Sequence, residues 1–418
     1  MLRRARLPTA AAFSWRRPRH ELLLLSLVAL ATLLVLQPPE AQDRSRTCVT
    51  LALEHGHLSA DRCLAGHVDY ARYGGHLYTD KAPGISFLSV PAAEAVRLPD
   101  PGWSGHNLKK LWLVRLSTAG VALLLCALLL GRIAEGWTPG WGGAALVTLA
   151  TGTLMSSLAA AGFDEVQTAA FGFAAFVLAW SRRPALAGLV AGAGMLVEYQ
   201  EGLIAAAIGL YVALAGLRPL LRYAVGVLPG LGLLALYDRL AFGSPFHLSY
   251  RYVSARFAQQ QAGGFFGIHA PHWHAIELVL VGNRGLLVDA PVLALAPLGL
   301  SALWRRGLRA ETALCALVSC AFLVLEFGYY DPYGGASPGP RFLIPALPFL
   351  ALGLAPAFSA WPRLTTALAA ASVLASTAIL LTWSLATTGT GAAYPGSVWR
   401  GFLGLARSGS AADLAVWT

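Results

Sequence analysis

One segment of the chain, from His67 to Gly84, concentrates side chains that can do acid–base and anion chemistry. Its 18 residues include two carboxylates, two histidines, three tyrosines, Arg72 and Lys81, and they end in a Pro-Gly turn. The carboxylates are Asp69 and Asp80, and Asp80 directly precedes Lys81. A carboxylate beside a fixed cation suits transfer from a phosphate ester, which needs a base for the acceptor and a positive charge for the leaving phosphate. The alternative is a solvated loop in which these groups only cap or pair with neighbours.

Two arginines are further candidates for binding an anion. Arg341 closes a turn, Gly334 to Pro340, whose glycines and prolines allow the backbone to approach a ligand closely. Arg284 raises the same possibility just before another apolar run. The alternative for both is an interfacial arginine whose charged end reaches the headgroup region.

Acidic residues at the junctions of apolar runs are predicted to be solvated. Asp164 with Glu165, and Glu198 with Glu201, fall at tight turns on the same predicted face of the protein, where water reaches them. Glu326 lies deeper in an apolar run, and we expect it to pair with an arginine.

Metal and nucleotide sites are not predicted. His269, His272 and His274 surround Trp273, but their spacing matches no zinc motif, no cysteine is near, and interfacial histidine and tryptophan often anchor loops. The sequence contains no phosphate-cradling loop, dinucleotide fingerprint or nucleophile elbow. Energy for any reaction must therefore come from an activated substrate or a gradient, and no cofactor is expected.

The apolar runs show which elements must position these residues. The 418 residues are 56% hydrophobic and 12% charged, and several runs reach bilayer-spanning length, which indicates an integral membrane protein. We predict an all-α polytopic fold with about 11 transmembrane helices. They lie near 22–36, 111–131, 142–161, 166–180, 185–198, 202–216, 220–237, 286–303, 311–328, 342–359 and 364–385.

The distribution of charge predicts the orientation. Six arginines precede the first run, which places the amino terminus in the cytoplasm and the first run as an uncleaved helix. With this topology the cytoplasmic face carries 15 basic and 3 acidic residues, whereas the outer face carries 16 basic and 18 acidic residues and nine of the ten histidines. The net charge of +10 is thus a topology signal that also attracts anionic lipid, and no nucleic-acid partner is expected.

The outer face is predicted to consist of long loops. A basic cytoplasmic segment, 1–20, precedes the membrane domain, 21–385, and an outer tail, 386–418, follows it. The outer loops are 38–107 and 238–283, with a turn at 331–341, and loops this long are usually functional. Within the first loop, Gly84 to Arg97 is apolar but too short to span, which predicts a helix lying at the membrane surface.

Cys48 and Cys63 both lie in the first outer loop. An oxidising compartment would permit a disulfide there, but their spacing alone does not decide between a bridge and two free thiols.

Several short motifs resemble the glycosyltransferase C superfamily, in particular its branch of protein O-mannosyltransferases and aminoarabinose transferases. Gly75-His-Leu-Tyr-Thr-Asp-Lys-Ala-Pro83 is similar to the Tyr-x-(Asp/Glu)-Lys-Pro segment in the first outer loop of that family. The similarity extends to Asp43–Arg46, Leu51–Leu58, Tyr237–Phe246, Asn283–Pro291 and Tyr333–Arg341, and so spans most of the chain.

The resemblance implies an inverting glycosyltransferase of the bacterial inner membrane. It would move a sugar from a polyprenyl-phosphate donor to a hydroxyl acceptor, on a glycan, lipid or protein, at the extracytoplasmic side of the bilayer. The implied catalytic base is an outer-loop aspartate, with Lys81, Arg341 and Arg284 at the donor phosphate. Tyr78, Tyr330 and Trp103 are the expected sugar or acceptor contacts, and no metal is expected.

Because the sequence departs from the family pattern at two places, three aspartates remain candidates for the catalytic base. Asp43 has the family position of the catalytic aspartate, but Arg44 follows it where the family has glutamate. The base is therefore Asp43, Asp69 or Asp80. The familiar Lys-Pro-Pro is also reduced to Lys81-Ala-Pro83.

Two other functions remain as alternatives. A transporter or lipid-carrier flippase would line a path with the same charges, although transporters favour polar groups near the bilayer midplane and paired halves with broken helices. A catalytically inactive relative that scaffolds envelope assembly would explain the altered motifs.

Overall fold

The computed structural model describes residues 18–387, except positions 36, 38, 99–104 and 336. Most of the basic cytoplasmic segment and nearly all of the tail therefore lie outside the described residues.

Twenty α-helices and one short antiparallel hairpin form the described chain. The hairpin consists of β1 (Ala71–Tyr73) and β2 (His76–Tyr78), a small departure from the all-α prediction. The helices are α1 (Pro18–Thr32), α2 (Ala41–Glu54), α3 (Asp61–Leu64), α4 (Gly84–Val96), α5 (Gly105–Arg115), α6 (Val121–Trp137), α7 (Gly142–Thr151), α8 (Met155–Ala161), α9 (Asp164–Trp180), α10 (Pro184–Val197), α11 (Glu201–Ala213), α12 (Leu217–Phe242), α13 (Ala255–Ala262), α14 (Trp273–Val281), α15 (Leu286–Asp289), α16 (Ala296–Arg305), α17 (Arg309–Gly328), α18 (Leu347–Ala351), α19 (Leu354–Ala360) and α20 (Pro362–Thr387).

Four helical stretches among the described residues are long and apolar enough to cross a bilayer: Leu108–Trp137, Leu217–Phe242, Arg309–Gly328 and Pro362–Thr382. Three bent helix pairs bring the number of candidate spans to as many as seven, and shorter apolar helices lie at His20–Thr32, Pro184–Val197 and Glu201–Ala213. The all-α polytopic class is confirmed, whereas the count of 11 spans stays a prediction.

Proline explains the sharpest of the three bends. The helical stretch Trp273–Asp289 meets Pro291–Arg305 at 103°. Proline has no N–H to donate and disfavours helical backbone in the residue before it. Ala290 accordingly has φ −138° and ψ 68°, outside the helical region.

The ion pairs keep to one predicted face or the other. Each of the seven ion pairs among the described residues joins two residues that the sequence assigned to the same side. Arg132 binds Glu21 at 2.7 Å on the face predicted to be cytoplasmic, and the other six pairs lie on the opposite face. No ion pair among the described residues therefore joins the two predicted faces.

The first outer loop is a folded layer built from α2, α3, the hairpin and α4. A disulfide between Cys48 and Cys63 joins α2 to α3, which resolves the question left open by the sequence. The helix predicted after Gly84 is present as α4. A Cβ added at Gly84 would lie 2.6 Å from the backbone of Leu196, so the start of α4 packs directly on the outer end of α10.

Removal of the disulfide should destabilise this layer. The half-cystines are 15 residues apart in sequence, and a loop of that length contributes about 3 kcal/mol by restricting the unfolded chain. We expect Cys48→Ser and Cys63→Ser to lower the midpoint of thermal unfolding in detergent by similar amounts. The double variant should be no less stable than either single one.

Cys320→Ser is the matched control, because that free cysteine is exposed. Unchanged unfolding midpoints in both half-cystine variants under oxidising conditions would show that the bridge does not stabilise the protein.

Candidate active site

The β1–β2 hairpin brings the two carboxylates of the first outer loop together. Its turn, Gly74-Gly75, has positive φ at both positions (59° and 87°), the backbone of a tight hairpin turn that glycine adopts without strain. The register pairs Ala71 with Tyr78. Asp69 and Asp80 each lie two residues beyond that pair, so they emerge at the same end of the hairpin.

Lys81 lies between these carboxylates. Its Nζ donates to Asp80 Oδ2 at 3.0 Å and lies 3.8 Å from Asp69 Oδ2. Asp80 is completely buried, and Asp69 and the Lys81 side chain are nearly so. Asp80 Oδ1 has no hydrogen-bond partner among the described residues. One carboxylate oxygen of Asp80 is therefore held by a cation while the other is free to accept a proton.

Burial is the main reason that the pKa of Asp80 lies above its usual range. The negative charge of Asp69 raises that pKa further, whereas Lys81 and, more weakly, Arg46 lower it. Burial opposes the charge on Lys81, yet Asp80 and Asp69 raise the pKa of Lys81 overall. The lysine stays cationic and the aspartate is a stronger base than an exposed one.

Two arginine–carboxylate pairs form a second layer of charges next to the first layer, which consists of Asp69, Asp80 and Lys81. Arg46 on α2 contacts Asp164, the first residue of α9. Arg341 lies 3.4 Å from Glu165 and donates to Gln42 Oε1 at 2.5 Å. Gln42 and Arg46 are one helical turn apart, so one face of α2 meets both pairs.

The two layers lie within electrostatic range of one another. The charge of Arg46 lowers the pKa of Asp80, and the charge of Arg341 lowers the pKa of Lys81. The structure therefore brings three of the predicted site residues, Asp69, Asp80 and Lys81, together, and a fourth, Arg341, lies within electrostatic range of Lys81.

Other predicted site residues have different surroundings. Asp43 is bound by Arg115 at 2.7 Å, and Arg284 donates to the Ser337 carbonyl at 2.9 Å. The ring of Tyr78 packs against Phe242 in an aromatic cluster. Tyr330 contacts Tyr329, with 4.5 Å between the ring centroids. Trp103 lies outside the described residues.

The prediction that the junction acids are solvated was wrong. Asp164, Glu165, Glu198 and Glu201 are all buried. Outer-loop residues contact the first three, whereas Glu201 packs against Gly172 of α9 and Gly194 of α10. Glu198 Oε1 accepts hydrogen bonds from the Tyr199 N–H and the Tyr250 hydroxyl.

Glu326 is also buried, as its depth suggested. The described residues show no ion pair to it, although Arg341 is near enough to act on it electrostatically.

Sequence reasoning missed Arg46, Gln42, Asp164 and Glu165 as members of this site. The available signal was the acidic pair at a membrane junction, because a carboxylate at that depth is costly unless it finds a cation. What the sequence did not reveal is that α2 folds back over the start of α9 and supplies that cation. Among the described residues, no group of three or more histidine, cysteine or acidic side chains is arranged to hold a metal ion.

Solved structures share this fold, although no family model and no curated protein matches the chain. The aminoarabinose transferase ArnT from Cupriavidus metallidurans, in its apo state, aligns at a TM-score of 0.56 and 15% sequence identity, over 95% of this chain and 73% of the transferase. The apo oligosaccharyltransferase of Archaeoglobus fulgidus aligns at a TM-score of 0.51 and 14% identity, over 92% of this chain and 61% of that enzyme. The chain has the glycosyltransferase C fold. The resemblance seen in the sequence motifs is confirmed at the level of fold.

Arg46 and Asp164 should stabilise this glycosyltransferase C fold only when both are present. Removal of one partner leaves a buried charge uncompensated, which typically costs about 3–5 kcal/mol. We expect Arg46→Met and Asp164→Leu each to lower the unfolding midpoint in detergent, and the double variant to recover much of the loss. A double-mutant cycle measures the coupling. Additive losses would contradict the pairing.

Proposed function

We propose that this chain is an inverting glycosyltransferase that moves a sugar from a polyprenyl-phosphate carrier to a hydroxyl acceptor at the extracytoplasmic side of the membrane. The observation that carries the proposal is the Asp80–Lys81 pair within a glycosyltransferase C fold. It combines a buried carboxylate that has one free oxygen with a cation bonded to the other oxygen. Base and phosphate-binding cation are the two groups that such a transfer needs.

In the proposed reaction, Asp80 Oδ1 removes the proton of the acceptor hydroxyl. The acceptor oxygen attacks the anomeric carbon and forms the new glycosidic bond. The bond from that carbon to the phosphate oxygen breaks, and its electron pair leaves with the carrier phosphate. A single displacement of this kind inverts the configuration at the anomeric carbon.

Lys81 and Arg341 are the proposed ligands of the carrier phosphate. Both are largely buried cations, with side chains 13% and 12% exposed, and each faces a carboxylate whose place at the cation the phosphate would take. Arg284 is a further proposed cation at this phosphate, because it donates to the Ser337 carbonyl in the Gly-rich turn 331–341, which ends with Arg341. A Cβ at Gly334 would lie 2.6 Å from Arg341 Nε, which explains why that position needs glycine.

A lipid-linked donor fits the location of the site. The site is assembled where loop segments meet the ends of membrane helices, so a prenyl chain in the bilayer can present its phosphate there. The aminoarabinose transferase that shares the fold has also been solved bound to undecaprenyl phosphate, which supports a polyprenyl phosphate as the carrier of the sugar. Tyr330 and Trp103 are the proposed sugar contacts. Tyr78, the last residue of β2, packs against Phe242 and is proposed to stabilise the hairpin.

The direct test is incubation of the purified protein with a panel of radiolabelled polyprenyl-phosphate sugars and membrane acceptors, with acceptor labelling as the readout. Labelling with one donor supports the proposal. Movement of a labelled carrier across proteoliposomes without sugar transfer would favour the flippase alternative, and neither activity would favour a scaffold.

Asp80→Asn and Lys81→Met should abolish transfer per folded molecule. Because each change removes one member of a buried pair and lowers stability, the rate is measured on folded protein and divided by its amount. Loss of a general base typically costs about 100- to 10,000-fold in rate. Glu94→Gln is the matched control, because Glu94 is an exposed carboxylate in the same outer loop. Wild-type turnover in the Asp80 and Lys81 variants would remove both residues from the mechanism.

The pH dependence of transfer should report the raised pKa of Asp80. The base acts in its ionised form, so the rate should fall as pH drops, and the fall should begin above the usual range of an aspartate. Asp69→Asn removes a negative charge that raises this pKa, so the fall should move to lower pH. Complete inactivity of Asp69→Asn would instead identify Asp69 as the base.

A further inference from the structure

The second outer loop, 238–283, is bonded to the backbone that carries both site carboxylates. Ser249 is completely buried, and its hydroxyl donates to the Asp80 carbonyl at 2.8 Å. Ser254 Oγ donates to the Val68 carbonyl at 2.6 Å, and its N–H donates to the Tyr70 carbonyl at 2.9 Å. The carbonyls that accept from Ser254 belong to the two residues on either side of Asp69.

One contact between these anchors is strand-like. Val253 forms an isolated antiparallel bridge with Ala71, the first residue of β1. The segment from Ser249 to Ser254 therefore lies along the hairpin as a 3₁₀ helix, Ser249–Tyr252, followed by this single bridging residue. An isolated two-stranded hairpin is at best marginally stable in water, and this one has only three residues in each strand. The hairpin needs such a neighbour to hold its end in place.

The Ser249 anchor is itself held by the turn between α10 and α11. Tyr199 Oη lies 3.1 Å from Ser249 Oγ. Since the single hydroxyl proton of Ser249 is used on the Asp80 carbonyl, Tyr199 is the donor in this contact. The neighbouring residues also bond: the hydroxyl of Tyr250, which follows Ser249, donates to Glu198, which precedes Tyr199. The turn between α10 and α11 thus holds the second outer loop, which in turn holds Asp80.

We propose that Ser249 and Ser254 are positioning residues that set the distance between Asp69, Asp80 and Lys81. They act on backbone carbonyls, not on substrate. The two serines bind on opposite strands of the hairpin, one beside each carboxylate, so together they fix the separation of the carboxylates. This inference rests on the proposed transfer reaction for its kinetic consequence, but its structural consequence is independent of that reaction.

The variants to compare are Ser249→Ala, Ser254→Ala, the double variant and Ser254→Thr, which keeps the hydroxyl. Ser244→Ala is the matched control, because Ser244 lies in the same loop and its hydroxyl accepts from the Phe246 N–H of its own turn. Hydrogen exchange of residues 68–81 in the full-length protein measures the hold on the hairpin. The expected increase is about 5- to 10-fold in each alanine variant, the usual consequence of losing one net hydrogen bond.

The kinetic readout separates positioning from a general structural role. We expect kcat to fall by about 5- to 10-fold in each alanine variant with KM for the lipid donor nearly unchanged, and the acid limb of the pH profile to shift. Ser254→Thr should restore both, and Ser244→Ala should resemble wild type. Unchanged exchange at 68–81, or a uniform increase across all loops with no change in the pH profile, would overturn the proposal.

The two hypotheses fail in distinguishable ways. If the wild-type protein transfers no sugar but exchange at 68–81 rises in the alanine variants, the anchoring stands and the transferase proposal fails. If the wild-type protein transfers sugar and the alanine variants match it in exchange, kcat and pH profile, the anchoring fails alone.

Discussion

Burial of charge at one end of the helix bundle is the constraint on which the rest of the structure depends. Each ion removed from water costs several kcal/mol, and its charge must be matched by a partner at close range. At the candidate site the chain meets this requirement with three kinds of pair. Two draw their members from distant segments, α2 with α9 and the turn after α17 with α9, and the third joins the carboxylates beside the hairpin to Lys81. These pairings bring the outer loops onto the helix ends.

Chemistry on loops also needs rigidity, which short strands and turns do not supply on their own. The first outer loop gains it from three sources of different physical kind. The disulfide restricts the unfolded chain, the start of α4 packs backbone to backbone on α10, and hydrogen bonds from the second outer loop hold the hairpin. Asp80 and Lys81 are therefore held at a fixed separation.

The sequence predicted the parts of the site that depend on local pattern. Asp80 beside Lys81, the helix after Gly84 and the Gly-rich turn before Arg341 are readable because composition and spacing specify them. Asp164 and Glu165 were misjudged, because their burial depends on α2 lying over them, a contact between segments about 120 residues apart. The pairing of Asp43 with Arg115 depends equally on tertiary structure, because the two residues are 72 positions apart in the sequence.

The surroundings of the three candidate aspartates favour Asp80 as the base. Arg115, which binds Asp43, also donates to the Gln37 carbonyl, so it ties the segment after α1 to the start of α2. A carboxylate bonded to an arginine that cannot lose its proton is committed to that structural link. Asp80 has a different partner and a free oxygen. Its partner Lys81 is shared with Asp69, and Oδ1 is buried with no partner among the described residues. Burial also raises the pKa of Asp80, and a base becomes stronger as its pKa rises toward the pH at which it works.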